Sequence, residues 1–161
     1  MTEEDKQALR EYTGFGGIGG STNEYYTPKW LAEATWESLK SYGLDGGNVL
    51  EPSAGVGVFS ETKPANALNT SVEMDKTSAA INQILHDKDH VINSGFEAVA
   101  TDPTIGNFDA VIGNPPYGVR DSSALSDKEY KDLKYADQYF VTRSIDKAKA
   151  CLLYTSPSPR D

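Results

Sequence analysis

The sequence predicts an α/β fold in which a parallel sheet of about four strands is covered by helices. Three observations point there. From residue 48 onward, short β-like runs alternate with helix-like stretches, and a parallel sheet needs such alternation because each crossover must be long enough to hold a helix. The chain has 161 residues, 38% hydrophobic and 10% aromatic, enough to fill one core, while no apolar run approaches the roughly 20 residues of a membrane-spanning helix. The residues best suited to chemistry fall just after the β-like runs, where open parallel sheets bind ligands.

The elements follow in order. A short polar helix is predicted at 3–11, then a loop at Gly14-Phe15-Gly16-Gly17-Ile18-Gly19-Gly20, which is too glycine-rich for helix or strand. Thr27-Pro28 opens the next helix, Thr27 as N-cap and Pro28 in the first turn, with Leu31, Ala34, Thr35, Leu39 and Tyr42 on one face and Gly43 ending it. Four strands are expected at 48–51, 70–73, 90–93 and 109–112. Helices are expected near 57–65, 76–87 and 126–149, around an irregular stretch at 95–107. The helix after Asp75 should bury Ala80, Ile81, Ile84 and Leu85.

Residues 151–161, Cys-Leu-Leu-Tyr-Thr-Ser-Pro-Ser-Pro-Arg-Asp, break the pattern that runs up to Ala150. They resemble the translation of an adaptor used in preparing sequencing libraries, so this tail is expected to be non-native. The domain reading is therefore 1–24 as helix and glycine-rich loop, 25–150 as a partial catalytic domain, and 151–161 as tail. Cys151 is the only cysteine, which leaves no basis for disulfides or cysteine metal sites. The charged amino terminus lacks the apolar stretch of a secretory signal and implies a cytoplasmic setting with no membrane partner. A net charge of -9 weighs against this segment wrapping nucleic acid by itself, because phosphate binding needs clustered Lys and Arg.

After the first strand comes Glu51-Pro52-Ser53-Ala54-Gly55-Val56-Gly57-Val58-Phe59, a tight small-residue turn leading into a helix. Small residues let a ligand approach the backbone. The acidic Glu51 at the strand end suits an ammonium group better than a pyrophosphate. The second strand ends in Glu73, about twenty residues after the turn, where a carboxylate can accept hydrogen bonds from both ribose hydroxyls. Asp75 competes for that role but fits better as a helix cap.

The fourth strand runs into Gly113-Asn114-Pro115-Pro116-Tyr117-Gly118. From average residue usage, Asn-Pro-Pro-aromatic arises by chance in a chain of this length roughly once in a thousand. Two prolines fix φ and donate no backbone hydrogen bond, which holds the loop open with its carbonyl oxygens facing the cleft. The Asn114 side-chain oxygen and the Pro115 carbonyl can accept both hydrogens of an exocyclic amine and turn its lone pair out of conjugation. Tyr117 can stack on the planar base carrying that amine.

With these motifs the chain resembles the amino-methyltransferases of the class I S-adenosylmethionine-dependent superfamily, above all the N6-adenine DNA methyltransferases, over most of residues 24–150. The resemblance implies a Rossmann-like sheet, truncated here after about four parallel strands of the family's seven, and S-adenosyl-L-methionine as cofactor with no metal. It places Tyr26-Thr27-Pro28 against the methionine end of the cofactor, Glu51, Pro52, Ser53, Ala54, Gly55, Gly57 and Phe59 around the methionine moiety, and Glu73 on the ribose. It gives Asn114, Pro115, Pro116 and Tyr117 the catalytic role, on an adenine flipped out of DNA and methylated directly. DNA contacts would lie mostly outside this fragment, which is expected to be inactive alone. The glycine-rich segment around Phe15 resembles phage and conjugative-plasmid polypeptides that join such a module to helicase-like segments, implying a prokaryotic mobile element.

One departure stands out. After the third strand the family has an Asp followed by an aromatic that binds the cofactor's adenine, whereas this chain has Ser94-Gly95-Phe96. Phe96 can still stack, and Glu97 or Asn93 are the candidates to replace the carboxylate. His86 and His90 flank a charged turn and read as solvated. Trp30, Trp36, Tyr139 and Phe140 read as packing residues, and Arg120 with residues 128–134 as a solvated face. Two other functions fit the motifs: methylation of a protein glutamine side-chain amide, and a degenerate methyltransferase fold kept as a scaffold. Tyr26-Thr27-Pro28 ahead of the turn favours DNA over glutamine, and the intact Glu73, Asn114 and Tyr117 argue against degeneracy.

Overall fold

The computed structural model describes residues 1–12, 22–23, 27–120 and 127–149. The glycine-rich loop, Tyr26 and the tail from residue 150 onward lie outside the described residues.

The four expected strands are present. They are β2 (Gly47–Glu51), β3 (Ala67–Glu73), β4 (His90–Asn93) and β5 (Ala110–Val111), which follow α1 (Glu3–Arg10), a two-residue strand β1 (Thr22–Asn23) and α2 (Lys29–Ser41). They form one sheet in the order β4-β3-β2-β5, all parallel, with Glu51 beside Ser71 and Glu73 beside Asn93, so their carboxyl ends line one edge. Helices α3 (Val58–Thr62), α4 (Lys76–Leu85) and α5 (Phe96–Thr101) supply the crossovers, and β6 (Tyr117–Gly118) and then α6 (Ala136–Lys147) follow β5.

Strand periodicity splits the core in two. Val49, Ala110 and Ile112 face Ala32, Trp36 and Leu39 of α2 and Phe59 of α3, whereas Leu50, Val72 and Val111 face Phe96 and Val99 of α5 and Tyr139 and Phe140 of α6. Adjacent residues of one strand thus feed opposite layers, and each fully buried aliphatic side chain contributes about 1.5–3 kcal/mol. Phe96 lies 4.9 Å from Phe140, ring to ring. Beyond α6 the chain turns back along β5, with a parallel bridge from Phe108 to Ala148.

Several elements differ from expectation. The N-cap of α2 is Pro28, not Thr27, and no side chain caps it; the Pro28 carbonyl accepts from the Leu31 and Ala32 N–H groups. Its buried stripe is Ala32, Thr35, Trp36 and Leu39, spaced as one helix face should be, with Ala34 and Tyr42 exposed. Trp36 packs as expected, its Nε1 donating to the Phe59 carbonyl at 3.0 Å, but Trp30 is exposed. In α4 the buried residues are Ser78, Ala79, Ile81 and Asn82 rather than Ala80 and Ile84, because the helix face turns toward the polar turn after β2. The stretch 95–107 contains the helix α5, and α6 begins at Ala136 rather than 126.

Residues 127–135 are instead held by ion pairs. Asp127, 1% exposed, accepts from Arg143 Nε at 2.6 Å and Nη2 at 2.7 Å and from the Tyr139 hydroxyl at 2.8 Å. These partners hold the Asp127 carboxyl far below the ordinary carboxylate range. Arg120, expected at a solvated face, is buried with its guanidinium 3.6 Å above the Tyr139 ring, donating to the carbonyls of Tyr130 and Leu133.

Candidate active site

The turn after β2 is gripped from three sides. The Ala54 N–H donates to the Val72 carbonyl at 3.0 Å, the Gly55 N–H to Glu73 Oε2 at 2.7 Å, and Asn82 Nδ2 to the Gly55 carbonyl at 3.2 Å. Gly57 has φ +91, and a Cβ there would come within 2.7 Å of both Asn82 Oδ1 and His86 Cδ2, so only glycine fits. His86 is therefore half-buried behind the turn rather than solvated, and burial lowers its pKa.

Glu73 accepts from both ends of this region, its second oxygen taking the Asp75 N–H at 2.7 Å. Asp75 caps α4 through the Ser78 N–H at 2.7 Å, as expected of it. Met74 between them is 73% exposed, an apolar side chain held open at the end of β3. The sequence reading missed it, since one methionine after an acid has no pattern to mark it.

Glu51 lies beneath the turn, 1% exposed, accepting from Asn69 Nδ2 at 2.8 Å. The same nitrogen contacts the hydroxyls of Ser60 at 2.8 Å and Ser71 at 3.2 Å. Burial pushes the Glu51 carboxyl well above the ordinary value, and the charges of Glu73 and Asp89 add to the rise while the Asn69 hydrogen bond opposes it. Ala54 is buried, and Ser53 and Gly55 are half-buried on the turn. Phe59, expected near the methionine moiety, is a core residue 4% exposed, because the first turn of α3 points it at Trp36.

The loop after β5 abuts this turn. A methyl group on Gly113 would come 3.4 Å from Pro52 Cδ and 3.9 Å from Glu51 Cγ. Pro115 is buried, and Asn114, Pro116 and Tyr117 are half-buried. The Tyr117 hydroxyl donates to Asn114 Oδ1 at 3.0 Å. Tyr117 and Gly118 form β6, antiparallel to Asn23 and Thr22 of β1, which ties the loop to the chain just before Thr27 and Pro28.

At the end of β4, Phe96 does not offer a stacking face. It is 2% exposed, its ring packed on Phe140 and Tyr139. Asn93 Nδ2 donates to the carbonyls of Glu73 at 2.8 Å and Met74 at 3.2 Å, holding the β3–α4 turn. The structure thus brings Glu51, Gly55, Gly57, Glu73 and Asn114 to Tyr117 to one edge of the sheet, and withdraws Phe59 and Phe96 into the core.

The family described as Eco57I restriction-modification methylase matches residues 31–158. Defense against restriction protein B of Escherichia phage P1 is 50% identical over 149 residues, 92% of this chain and 7% of the relative. Type II methyltransferase M.CvrRI of Paramecium bursaria Chlorella virus XZ-6E is 34% identical over 101 residues, 60% of this chain and 24% of the relative. The chain spans less than a quarter of either relative's length. A solved structure of a Listeria monocytogenes protein assigned to the class I S-adenosylmethionine-dependent methyltransferases superposes with a TM-score of 0.72 at 14% identity, over 94% of this chain and 51% of that one. The fold is that of the Rossmann-like methyltransferases.

Proposed function

Because the chain belongs to the Eco57I restriction-modification methylase family, we propose that it is the catalytic core of a methyltransferase acting on the exocyclic N6 amine of adenine in DNA. The observation that carries this reading is the contact between the two motifs: the Asn114-to-Tyr117 loop and the Glu51-to-Gly57 turn lie against each other through Gly113 and Pro52.

The residues present fit S-adenosylmethionine. The turn is a run of small residues held close against α4 at Gly57, where Asn82 and His86 leave no room for a Cβ, so its backbone keeps one fixed course at the sheet edge. Glu73, fixed by two N–H groups, presents a carboxylate of the kind that accepts from a ribose diol. Glu51, its carboxyl buried under the turn, would meet an ammonium group there, whose charge opposes the burial that favours the neutral acid, and Met74, in place of Phe96, provides an exposed apolar face at the end of β3 for a purine ring. Thr27 and Pro28 open α2, which Lys29 ties to Glu61 of α3 just after the turn, at 2.8 Å; with Tyr26 they are assigned to the methionine end. When bound, the cofactor supplies a methyl group on a positively charged sulfur.

The chain's own part is to hold the amine. Asn114 Oδ1 and the Pro115 carbonyl accept its two hydrogens, which frees the nitrogen lone pair from the ring, and Tyr117 stacks on the base. Positioning of this kind lowers the barrier by placing the reacting groups in line. A flipped adenine meets the loop because an amine buried in duplex DNA cannot. The acidic chain leaves most phosphate contacts to other parts of a longer protein.

The test is calorimetric titration of S-adenosylmethionine into the full-length parent protein that carries this chain, as wild type and as its Glu73→Ala and Asn114→Ala variants, with tritiated methyl transfer to adenine-containing DNA. Binding lost in Glu73→Ala and transfer lost in Asn114→Ala with binding kept is the expected result. Binding without transfer to DNA, but with transfer to a glutamine-bearing protein, replaces the substrate. Absence of binding in the wild type leaves a scaffold.

A further inference from the structure

We propose that Tyr135 and Val119 form a stacking rim beside the Asn114-to-Tyr117 loop and hold the base next to the target adenine, an assignment that rests on the DNA reading above. Val119 pairs with Tyr135 in an antiparallel bridge, which sets their side chains on one face. The two are 55% and 51% exposed, an aliphatic and an aromatic group side by side in solvent. Val119 follows Tyr117 by two residues, a span of at most about 7 Å even in extended chain. The helix does not call for the tyrosine. Tyr135 is the N-cap of α6, a position that favours Ser, Thr, Asp or Asn, and its side chain makes no capping hydrogen bond.

The rim is fixed from behind. Arg120, the residue after Val119, is buried and donates through Nη1 to the carbonyls of Tyr130 at 3.1 Å and Leu133 at 2.9 Å. Its backbone N–H donates to the Lys134 carbonyl at 2.8 Å, and the Glu97 carboxylate, 3.8 Å from Nη2, offsets its charge. One residue thus staples the segment that carries Tyr135 to the strand leaving the loop. The charge on that segment points to a nucleic acid. Lys131 and Lys134 are exposed and enter no ion pair among the described residues, in a chain whose net charge is -9, with Asp132 the one acid between them. Flipping the adenine leaves its neighbour with one bare face, which an aromatic ring can cover. An exposed ring flanked by such lysines suits that neighbour, stacking on the base while the cations meet phosphate.

The experiment uses the full-length parent protein and measures single-turnover methyl transfer at sub-saturating DNA. The substrates are duplexes carrying adenine in random sequence, with both neighbours intact or with an abasic site on one side or the other. On intact duplex Tyr135→Ala should slow transfer about 5- to 150-fold, the worth of one stacked base. With the abasic site on the side that the rim holds, wild type and Tyr135→Ala should transfer at the same rate, because no base is left to stack. Tyr135→Phe keeps the ring and should match the wild type throughout. Lys131→Ala with Lys134→Ala should reduce the slope of log affinity for DNA against log salt by about two. Wild-type rates in Tyr135→Ala on intact duplex overturn the assignment. Equal losses on intact and abasic duplexes, or a loss in Tyr135→Phe as large as in Tyr135→Ala, overturn it too, since the residue then serves the fold. If the wild type methylates no adenine in DNA, the DNA reading fails and this one with it.

Discussion

The Tyr117 hydroxyl hydrogen-bonds the very oxygen, Asn114 Oδ1, that is assigned to the target amine, at 3.0 Å. A donor on that oxygen fixes which way the Asn114 amide faces, so the hydroxyl and the ring of Tyr117 do separate work. Tyr117→Phe keeps the ring and should slow single-turnover methyl transfer about five- to tenfold, the worth of one neutral hydrogen bond, with little change in affinity for DNA. Tyr117→Ala should also weaken binding of the target, by about 1–3 kcal/mol of lost stacking. Equal rates for wild type and Tyr117→Phe would show that the hydroxyl does not orient the amide.

Gly57→Ala should destabilise the chain by about 1–3 kcal/mol, because the backbone stays at φ +91 while the methyl group meets Asn82 and His86. S-adenosylmethionine binding should fall with it, since the same shift displaces the peptide of Gly55. Urea denaturation and calorimetry measure the two effects separately.

Asp127 predicts acid sensitivity. Its pKa is lowered in the folded state, chiefly by the Arg143 hydrogen bonds, so its stabilising contribution is present above the ordinary value of 3.8 and is lost as pH falls below it. Asp127→Asn should remove that dependence and cost about 1–3 kcal/mol at neutral pH, because Arg143 loses its buried charged partner and keeps only the more exposed carboxylates of Glu129 and Asp146. Denaturation curves from pH 3 to 7 would read both, taking about that range as accessible to the fold.

Glu51 carries the opposite sign. Its pKa is raised in the folded state by burial, so its contribution is complete below the ordinary value of 4.5 and is lost as pH rises through the folded value. Glu51→Gln keeps the shape and the Asn69 neighbour without the charge. The variant should gain stability relative to wild type as pH rises, yet bind S-adenosylmethionine about tenfold or more weakly for want of a charge opposite the ammonium. A variant with unaltered affinity would remove Glu51 from the site.

What could be read from the sequence was what local chemistry dictates. Strands β2 to β5 end where glycine, proline or acidic residues interrupt β-branched runs, and the Asn114-to-Tyr117 loop is marked by the backbone limits of two prolines. Six-residue α5 is too short for a helical period to show, so local pattern marks Phe96 as a cleft residue while the structure makes it the start of a buried helix face. Asn69, Asn82 and the pair of Asp127 with Arg143 act on partners many residues away, so nothing near them in the chain announces their roles.

The pairing of Thr22 and Asn23 with Gly118 and Tyr117 forms a two-stranded ribbon that brackets, in sequence, all four strands of the parallel sheet. β2 and β3, by contrast, are neighbours in sequence as well as in space, joined by a short crossover. Contacts between near segments close small loops, whereas a ribbon that encloses everything between its strands costs more chain entropy to close. Opening that ribbon would therefore release the Asn114-to-Tyr117 loop while the turn after β2 stays closed by its neighbours in sequence. On the proposed reading, a chain with the ribbon open would keep the turn assigned to the cofactor and lose the loop assigned to the base, so methyl transfer should be a stricter measure of complete folding than titration of the cofactor.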